Sequence, residues 1–586
     1  MNKLDPSSPK TRLTDRFFNL LHSTRVSDRL LLHLLLASLI ASLIWFFLSL
    51  NAKWAEPVAI PGGDITEGVV GYPRFINPLL ATTRADRDLT VLLYSGVMRI
   101  NQAGELVPYL AKSVTRSEDG TVYTIELRPG LTFHDGEPLT AEDVIFTYQT
   151  IQDPEVKSPL RGNWDRVTLK QQDSHTVILT LDEPYTPFIN NLTVGILPEH
   201  IWANVPATEL AFSPYNAEPI GAGPYKLNKI VHNDENRIIA YQLDKFSTAA
   251  EPAYLENVTL RFFPDTTTLA TALEHNQITG TVDLDPKQIE NFDTDEYSIT
   301  VAPLPQSFGV FFNQNRSDVL RHSEVREALA LSIDREKLVA QATYGQALPT
   351  YQTIPSGFGT LKSTDIASTS VHRFDQTAAI ERLEKAGWER NEDNIWSLET
   401  KTESLTLSVT LRTLNTPALE ATATGLARAW RSLGAEVKVE QYEQADLLNA
   451  IIRPREFEAV LFGMDVGRGV DLYPFWHSSQ QTDPGLNIAQ YANISADTYL
   501  EVLRTSTDEA ERQDALLKFT ALLREELPAI FLYTPTMQYV TNTDITTTNI
   551  PAPSGPQDRL QFITNWHREQ AELWPLFHTD YAITNP

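Results

Sequence analysis

The residues best placed to do chemistry lie between Phe457 and Ser479, FEAVLFGMDVGRGVDLYPFWHSS. An apolar run, Ala459 to Phe462, reads as a strand. It ends in a glycine-rich loop carrying Asp465 and Asp471, and Tyr473, Trp476 and His477 follow. Carboxylates on a loop beside aromatic rings suit the holding of a solute: charged anchors orient it and rings supply an apolar wall. In open α/β sheets such loops gather where the chain leaves the carboxyl ends of strands. A plainer reading stays open for each residue. Asp471 would cap a helix beginning near Leu472, and the large rings would be core. Covalent chemistry finds no comparable footing. There is no Gly-x-x-x-x-Gly-Lys-Ser/Thr loop, no Gly-x-Ser-x-Gly elbow and no His-Glu-x-x-His pattern. The twelve histidines show no pairing at metal-ligand spacing. Gly467-Arg468-Gly469 is too short a fragment to suggest a dinucleotide site. No catalytic residue, metal or cofactor is therefore expected.

The elements that position this stretch belong to a chain of 586 residues, long enough for two or three domains. The net charge is −27, and residues 1–29 carry +3, leaving −30 on the remainder. A surface that acidic repels phosphate backbones and argues against a nucleic-acid partner. Cysteine is absent, which excludes disulfides, thiolate metal sites and cysteine nucleophiles.

Leu30 to Leu50, LLLHLLLASLIASLIWFFLSL, carries no formal charge. As a helix it covers about 30 Å, a bilayer's apolar thickness. Arg12, Arg16, Arg25 and Arg29 precede it and only Lys53 follows closely. The positive-inside rule then puts residues 1–29 in the cytoplasm, makes 30–50 an uncleaved transmembrane signal anchor and leaves the rest outside the cell membrane. Trp45 and Trp54 suit the outer interface. A cleaved signal peptide is the alternative, disfavoured by the long leading segment and the long apolar run. Residues 51–63, with Pro57, Pro61 and a Gly pair, read as a short linker.

Residues Pro108 to Thr147 read PYLAKSVTRSEDGTVYTIELRPGLTFHDGEPLTAEDVIFT. Turn signals at Ser117 to Gly120 and at Asp135-Gly136 bound strand-like runs, Val122 to Leu127 and Leu131 to Phe133. Thr140 with Asp143 predicts a helix start. The wording of this module resembles the signature region of the family 5 extracellular solute-binding proteins, the peptide- and oligopeptide-binding components of ABC importers. Further pieces resemble the family in its own order: Asn77-Pro78-Leu79-Leu80 with Asp88 to Met98, Ile196 to Trp202, Gly221 to Leu227, Val325 to Asp334, Ala386 to Trp388, Leu433 to Val437, and Leu527 to Tyr533.

That resemblance implies an α/β, two-lobed periplasmic-binding-protein-like fold with an inserted subdomain. It places lobe I at 64–95, 220–305 and 527–586, the insertion at 96–219 and lobe II at 306–526, with hinge strands near Ser307 to Asn313 and Pro528 to Tyr533. It also implies a monomer that captures a peptide or similar solute by lobe closure and delivers it to ABC permease and ATPase subunits. The alternative is a ligand sensor on the same fold without a transporter. The membrane helix would replace the lipidated cysteine usual in the family. In peptide-binding relatives an aspartate on the 463–471 loop pairs with the ligand's α-ammonium group. Asp465 lies one place from the family's position, and Gly463-Met464 stands where the family has Gly-Trp, so Met464, Asp465 and Asp471 are all candidates. The other contacts implied are Tyr72 and Arg74 before the Asn-Pro-Leu segment, Trp164 in the insertion, Asn313 at the end of the first hinge strand, and Arg412 following a strand at Leu405 to Leu411. Tyr473, Trp476 and His477 complete the set. His134, in the Phe-His-Asp-Gly turn, is expected to be structural.

Overall fold

The computed structural model describes residues 25–355, 357–358, 372–401 and 403–574. Most of the expected cytoplasmic segment and the last twelve residues of the expected lobe I lie outside the described residues. The chain divides into two compact units, one of residues up to Ile60 together with those from Glu569, the other Pro61–Arg568.

The smaller unit holds the helix Val26–Trp54, with the apolar stretch Leu30–Asn51 long enough to cross a membrane and none of it buried. The strand Glu56–Ala59 follows and pairs antiparallel with Gln570–Leu573.

The larger unit is organised by a twelve-stranded mixed sheet. At its centre is one long strand, Ala529–Asn542. Its first part pairs with Gln306–Phe312 and Ala347–Pro349. Its second part pairs with Tyr297–Pro303 and, at Val540–Thr541, with Gly280–Thr281. Beyond Gln306–Phe312 come Ala459–Asp465, Ser408–Leu414 and Glu436–Tyr442. Beyond Gly280–Thr281 come Asp64–Val70, Asn257–Phe263, Ile238–Lys245 and Tyr225–His232. The long strand therefore serves both halves of the sheet. The chain crosses a second time between Pro303 and Gln306, where Leu304 N–H donates to the Pro535 carbonyl (2.9 Å). The expected hinge strands exist, but both pair inside the second half; the crossings lie just outside them, at Leu304-Pro305 and around Thr534-Pro535.

Each half has its own apolar core, one built around Ile65, Val69 and Leu89, the other around Val310, Leu411 and Trp430. A four-stranded antiparallel sheet packs into the first core, in the order Ala111–Arg116, Val122–Leu127, Thr176–Leu181, Val167–Gln171. Its helix, Ala141–Gln152, opens with a reciprocal cap: Thr140 N–H donates to Asp143, and the Thr140 hydroxyl accepts from the first turn. Leu131 to Phe133 is not a strand. Only Thr132 bridges to Pro138 there, closing the Phe-His-Asp-Gly turn. His134 is half-buried in that turn, where its Nδ1 accepts from Gly221 N–H and its Nε2 donates to the Gly223 carbonyl, both at 3.2 Å. Burial pushes its pKa down from 6.5 to about 4, although the Gly223 carbonyl opposes the shift.

Candidate functional site

Strand Ala459–Asp465 pairs in register with Gln306–Phe312, which sets Asp465 opposite Gln306 at the strand's carboxyl end. The chain then turns through Gly467, whose φ of +63° suits glycine, and reaches a one-turn helix, Tyr473–Trp476. Around this loop lies a cavity of about 490 Å³. One wall is Asp465 to Gly469 with Asp471; the other is Tyr185, Asn190 and Asn191, with Ser554 at the rim. The first wall belongs to the second half of the sheet and the other to the first half, so the cavity lies in the crevice between two lobes.

The two aspartates differ in company. The Asp471 carboxylate accepts from the Tyr185 hydroxyl across the crevice (3.0 Å) and from Tyr473 N–H (3.2 Å), and sits 3.6 Å from Arg504. Burial, then the Asp471 charge, holds the Tyr185 phenol above its ordinary pKa, so it stays a donor. The Arg504 guanidinium lies over both the Tyr185 and Tyr473 rings, at 4.9 and 4.5 Å. Asp465 is exposed to the cavity and, among the described residues, accepts from Gly467 N–H (2.9 Å) and the Gln306 amide (3.2 Å). No cationic side chain among the described residues pairs with it.

Other contacts join the lobes nearby. Arg468 forms an ion pair with Asp558, and the Thr186 hydroxyl donates to the Ser506 carbonyl (2.9 Å). Gly469 passes so close to the opposite wall that a Cβ would stand 2.9 Å from Asn190 Nδ2. A second cavity, about 610 Å³, opens beyond the Tyr185–Asp471 pair and is lined by Tyr473, Arg504, Asp182 and Glu183 among others.

Of the expected contacts, the structure brings Asp465 and Asp471 to the first cavity and Tyr473 to the second. Several others are corrected by their surroundings. Trp164 is 1% exposed and stacks on Tyr148 (ring centroids 4.2 Å apart). Trp476 is fully buried against Phe311, Phe531 and Tyr491. Met464 is buried in the same cluster. His477 is nearly buried, stacked on Tyr473, with its Nδ1 against Ser479. Asn313 is buried and spends its amide on the Arg455 carbonyl (2.9 Å) and Asn315 N–H (3.1 Å). Arg412 lies inside a strand rather than after one, and register sets it beside Glu440, which it binds at 2.9 Å. Tyr72 and Arg74 are exposed just past the carboxyl end of strand Asp64–Val70, and neither lines the two cavities. The sequence reading missed Tyr185, Asn190, Arg468, Arg504 and Ser554. Only Arg468 carried a local signal, a charge between two glycines.

Residues 105–485, more than half of the chain, match the sequence profile described as bacterial extracellular solute-binding proteins, family 5 Middle. The oligopeptide-binding protein AppA of Bacillus subtilis is 27% identical over 494 residues, spanning 83% of this chain and 88% of that protein. A solved structure of AppA from Bacillus subtilis in complex with a nonapeptide superposes with a TM-score of 0.63 at 24% identity, covering 87% of this chain and 99% of that one. The ABC transporter substrate binding protein CtaP from Listeria monocytogenes superposes with a TM-score of 0.72 at 24% identity, covering 87% and 100%. These two superpositions show a shared fold. With the two-lobed sheet and its crevice, the profile match settles the family: the chain belongs to the bacterial extracellular solute-binding proteins of family 5.

Proposed function

We propose that this protein captures a free-amine peptide in the interlobe crevice and delivers it, unaltered, to the permease and ATPase subunits of an ABC importer. The observation that carries this reading is the Asp465 carboxylate, open to a cavity of about 490 Å³ and without a cationic partner among the described residues. That volume lies within the usual range for small-ligand sites, about 300–1,000 Å³. An α-ammonium group brought against Asp465 gains strength as closure removes water. The relatives named above bind oligopeptides or serve an ABC transporter, which supports the same assignment here. Asp471 is the weaker anchor, because Tyr185 and Arg504 already occupy it. Tyr72 and Arg74 remain candidates for contacts outside the two cavities.

Capture works by closure. Residues that meet across the crevice must part when the lobes open, and a ligand touching both walls favours the closed population. One lobe comprises residues 64–95, 220–305 and 527–586 with the insertion 96–219, the other 306–526, and strand Ala529–Asn542 passes between them. The protein acts as a monomer outside the cell membrane, held by the helix within residues 30–50, with no reaction on its cargo.

Replacing Asp465 with Asn should weaken binding of a free-amine peptide by about 1.5–3 kcal/mol, roughly tenfold to a hundredfold, in titration calorimetry. The N-acetylated peptide should lose almost nothing. Equal losses for both would remove the ammonium anchor. Mass spectrometry of small molecules that co-purify with the protein would identify the cargo, and a cargo without an amine would count against this reading.

A further inference from the structure

We propose that Glu569–Trp574 forms a clasp on the outer end of the apolar helix, and that this clasp seats in the headgroup region of a lipid bilayer. The inference rests on the reading that the helix crosses a membrane. Glu56–Ala59 leaves that helix after a single residue and pairs antiparallel with Gln570–Leu573, in the register Glu56 to Leu573 through Ala59 to Gln570. Ile60 N–H extends the ladder to the Glu569 carbonyl (3.1 Å). Trp574 closes the clasp, its indole N–H donating to the Asn51 side chain at 2.8 Å, in the last turns of the helix. Residues more than 500 positions apart in sequence thus meet at one point.

Two strands this short are marginal alone in water. The chemistry of the ribbon suggests what completes it. Val58, Ala571 and Leu573 share one face with Glu56, while Pro57, Gln570 and Glu572 are exposed on the other. Trp54, 56% exposed, stands at the helix end beside the clasp, and Trp574 lies within it. Indole rings with one apolar body and one N–H favour the boundary between acyl chains and water. Ladder hydrogen bonds also gain where water is scarce. The chain enters the larger unit at Pro61 and leaves it at Arg568, so the clasp ties that unit to the anchor at both ends. Residues 56–59 of the expected linker are then part of a paired ribbon.

The cysteine-free sequence makes the test clean. Val58→Cys with Ala571→Cys puts thiols on directly paired positions, where cross-strand Cα atoms lie within disulfide reach. The full chain is reconstituted in phosphatidylcholine–phosphatidylglycerol vesicles and oxidised. Most of the double variant should shift in electrophoretic mobility, and neither single variant should. Separately, Trp574→Cys carrying an environment-sensitive fluorophore should shift its emission to the blue and be quenched by headgroup-depth lipid quenchers. Vesicle flotation separates the two readings. Flotation without cross-linking overturns the clasp and leaves the anchor standing. Cross-linking without quenching overturns the bilayer as its seat. Failure to float overturns both.

Discussion

Two clusters of charge in the larger unit are built oppositely. Beneath the first lobe, Arg559 is wholly buried between Asp88 and Glu67, with paired contacts of 2.9–3.2 Å to both carboxylates. The Tyr539 hydroxyl adds a 2.5 Å bond to Glu67, and Arg84 reaches Asp88 at 3.0 Å. Burial alone would lower the Arg559 pKa, but Asp88 and Glu67 outweigh it and hold the guanidinium above its ordinary value. Asp88 is likewise held below its ordinary value: burial raises it, and Arg559 with Arg84 overcomes burial. Every charge there has its complement, and the three elements that contribute them are tied to the long crossing strand through the Tyr539 hydroxyl. At the crevice, Asp471 is complemented across the lobes while Asp465 is left open. The contrast separates charges whose partners are all in place from one with no cationic partner among the described residues.

The sharpest break in that contrast is Arg559→Met. It leaves two buried carboxylates without their cation and should cost about 3–5 kcal/mol. The check is denaturant unfolding, where the midpoint should fall far more than for Asp465→Asn. Similar falls for both variants would erase the distinction.

Acid offers a second break, directed at the fold. The folded His134 titrates near pH 4 against 6.5 for an unhindered imidazole. Between those values the unfolded chain binds a proton that the folded one refuses. Stability from this group is therefore complete above about pH 6.5 and is lost as pH falls toward 4. The loss reaches at most about 3.5 kcal/mol, at about 1.4 kcal/mol per pKa unit. His372 moves the same way, driven down to about 4 by burial and then by Arg335, Arg382 and Arg524. In thermal melts from pH 7 to 4, His134→Gln keeps an amide donor and acceptor but cannot titrate. It should flatten the pH slope by about one proton. An unchanged slope would mean His134 does not report on folding.

The sequence foretold features set by neighbours and missed those set by distance. The Thr140–Asp143 cap was legible because both groups lie within one helical turn. Strand Val122–Leu127 was legible because the turn ending at Gly120 bounds it and alternate residues are buried. The lobe crossings were displaced from the expected hinge strands, because only long-range pairing shows where the Ala529–Asn542 strand changes partners. Arg412 was misjudged for a related reason: strand register, not local sequence, supplies Glu440. Trp164 and Trp476 are core and not cleft wall, a distinction that residue type does not carry. At the crevice, the 463–471 loop could be found from its composition. Its counterpart could not, since Tyr185 is 286 positions from Asp471 and sits in an ordinary Glu-Pro-Tyr-Thr-Pro stretch.

The gentlest test asks whether the complemented aspartate does its work in one lobe arrangement only. In Tyr185→Phe the ring remains under Arg504, so packing is kept and a single hydroxyl is lost. Asp471 is not orphaned, because Tyr473 N–H and Arg504 still face it. The cost should be the net value of one hydrogen bond to a charged group that keeps its other partners, about 1 kcal/mol. Because that bond exists only when the lobes touch, the whole cost falls on the closed population, a change of about fivefold. Small-angle scattering without ligand should show a larger mean radius. Affinity should fall by the same factor for free-amine and acetylated peptides alike, which Asp465→Asn should not do. Gly469→Ala pushes the same equilibrium by crowding Asn190, and the two variants should agree in direction. If Tyr185→Phe lowered affinity only for the free amine, Asp471 would have to be the ammonium's true partner, and the division drawn between the two aspartates would be reversed.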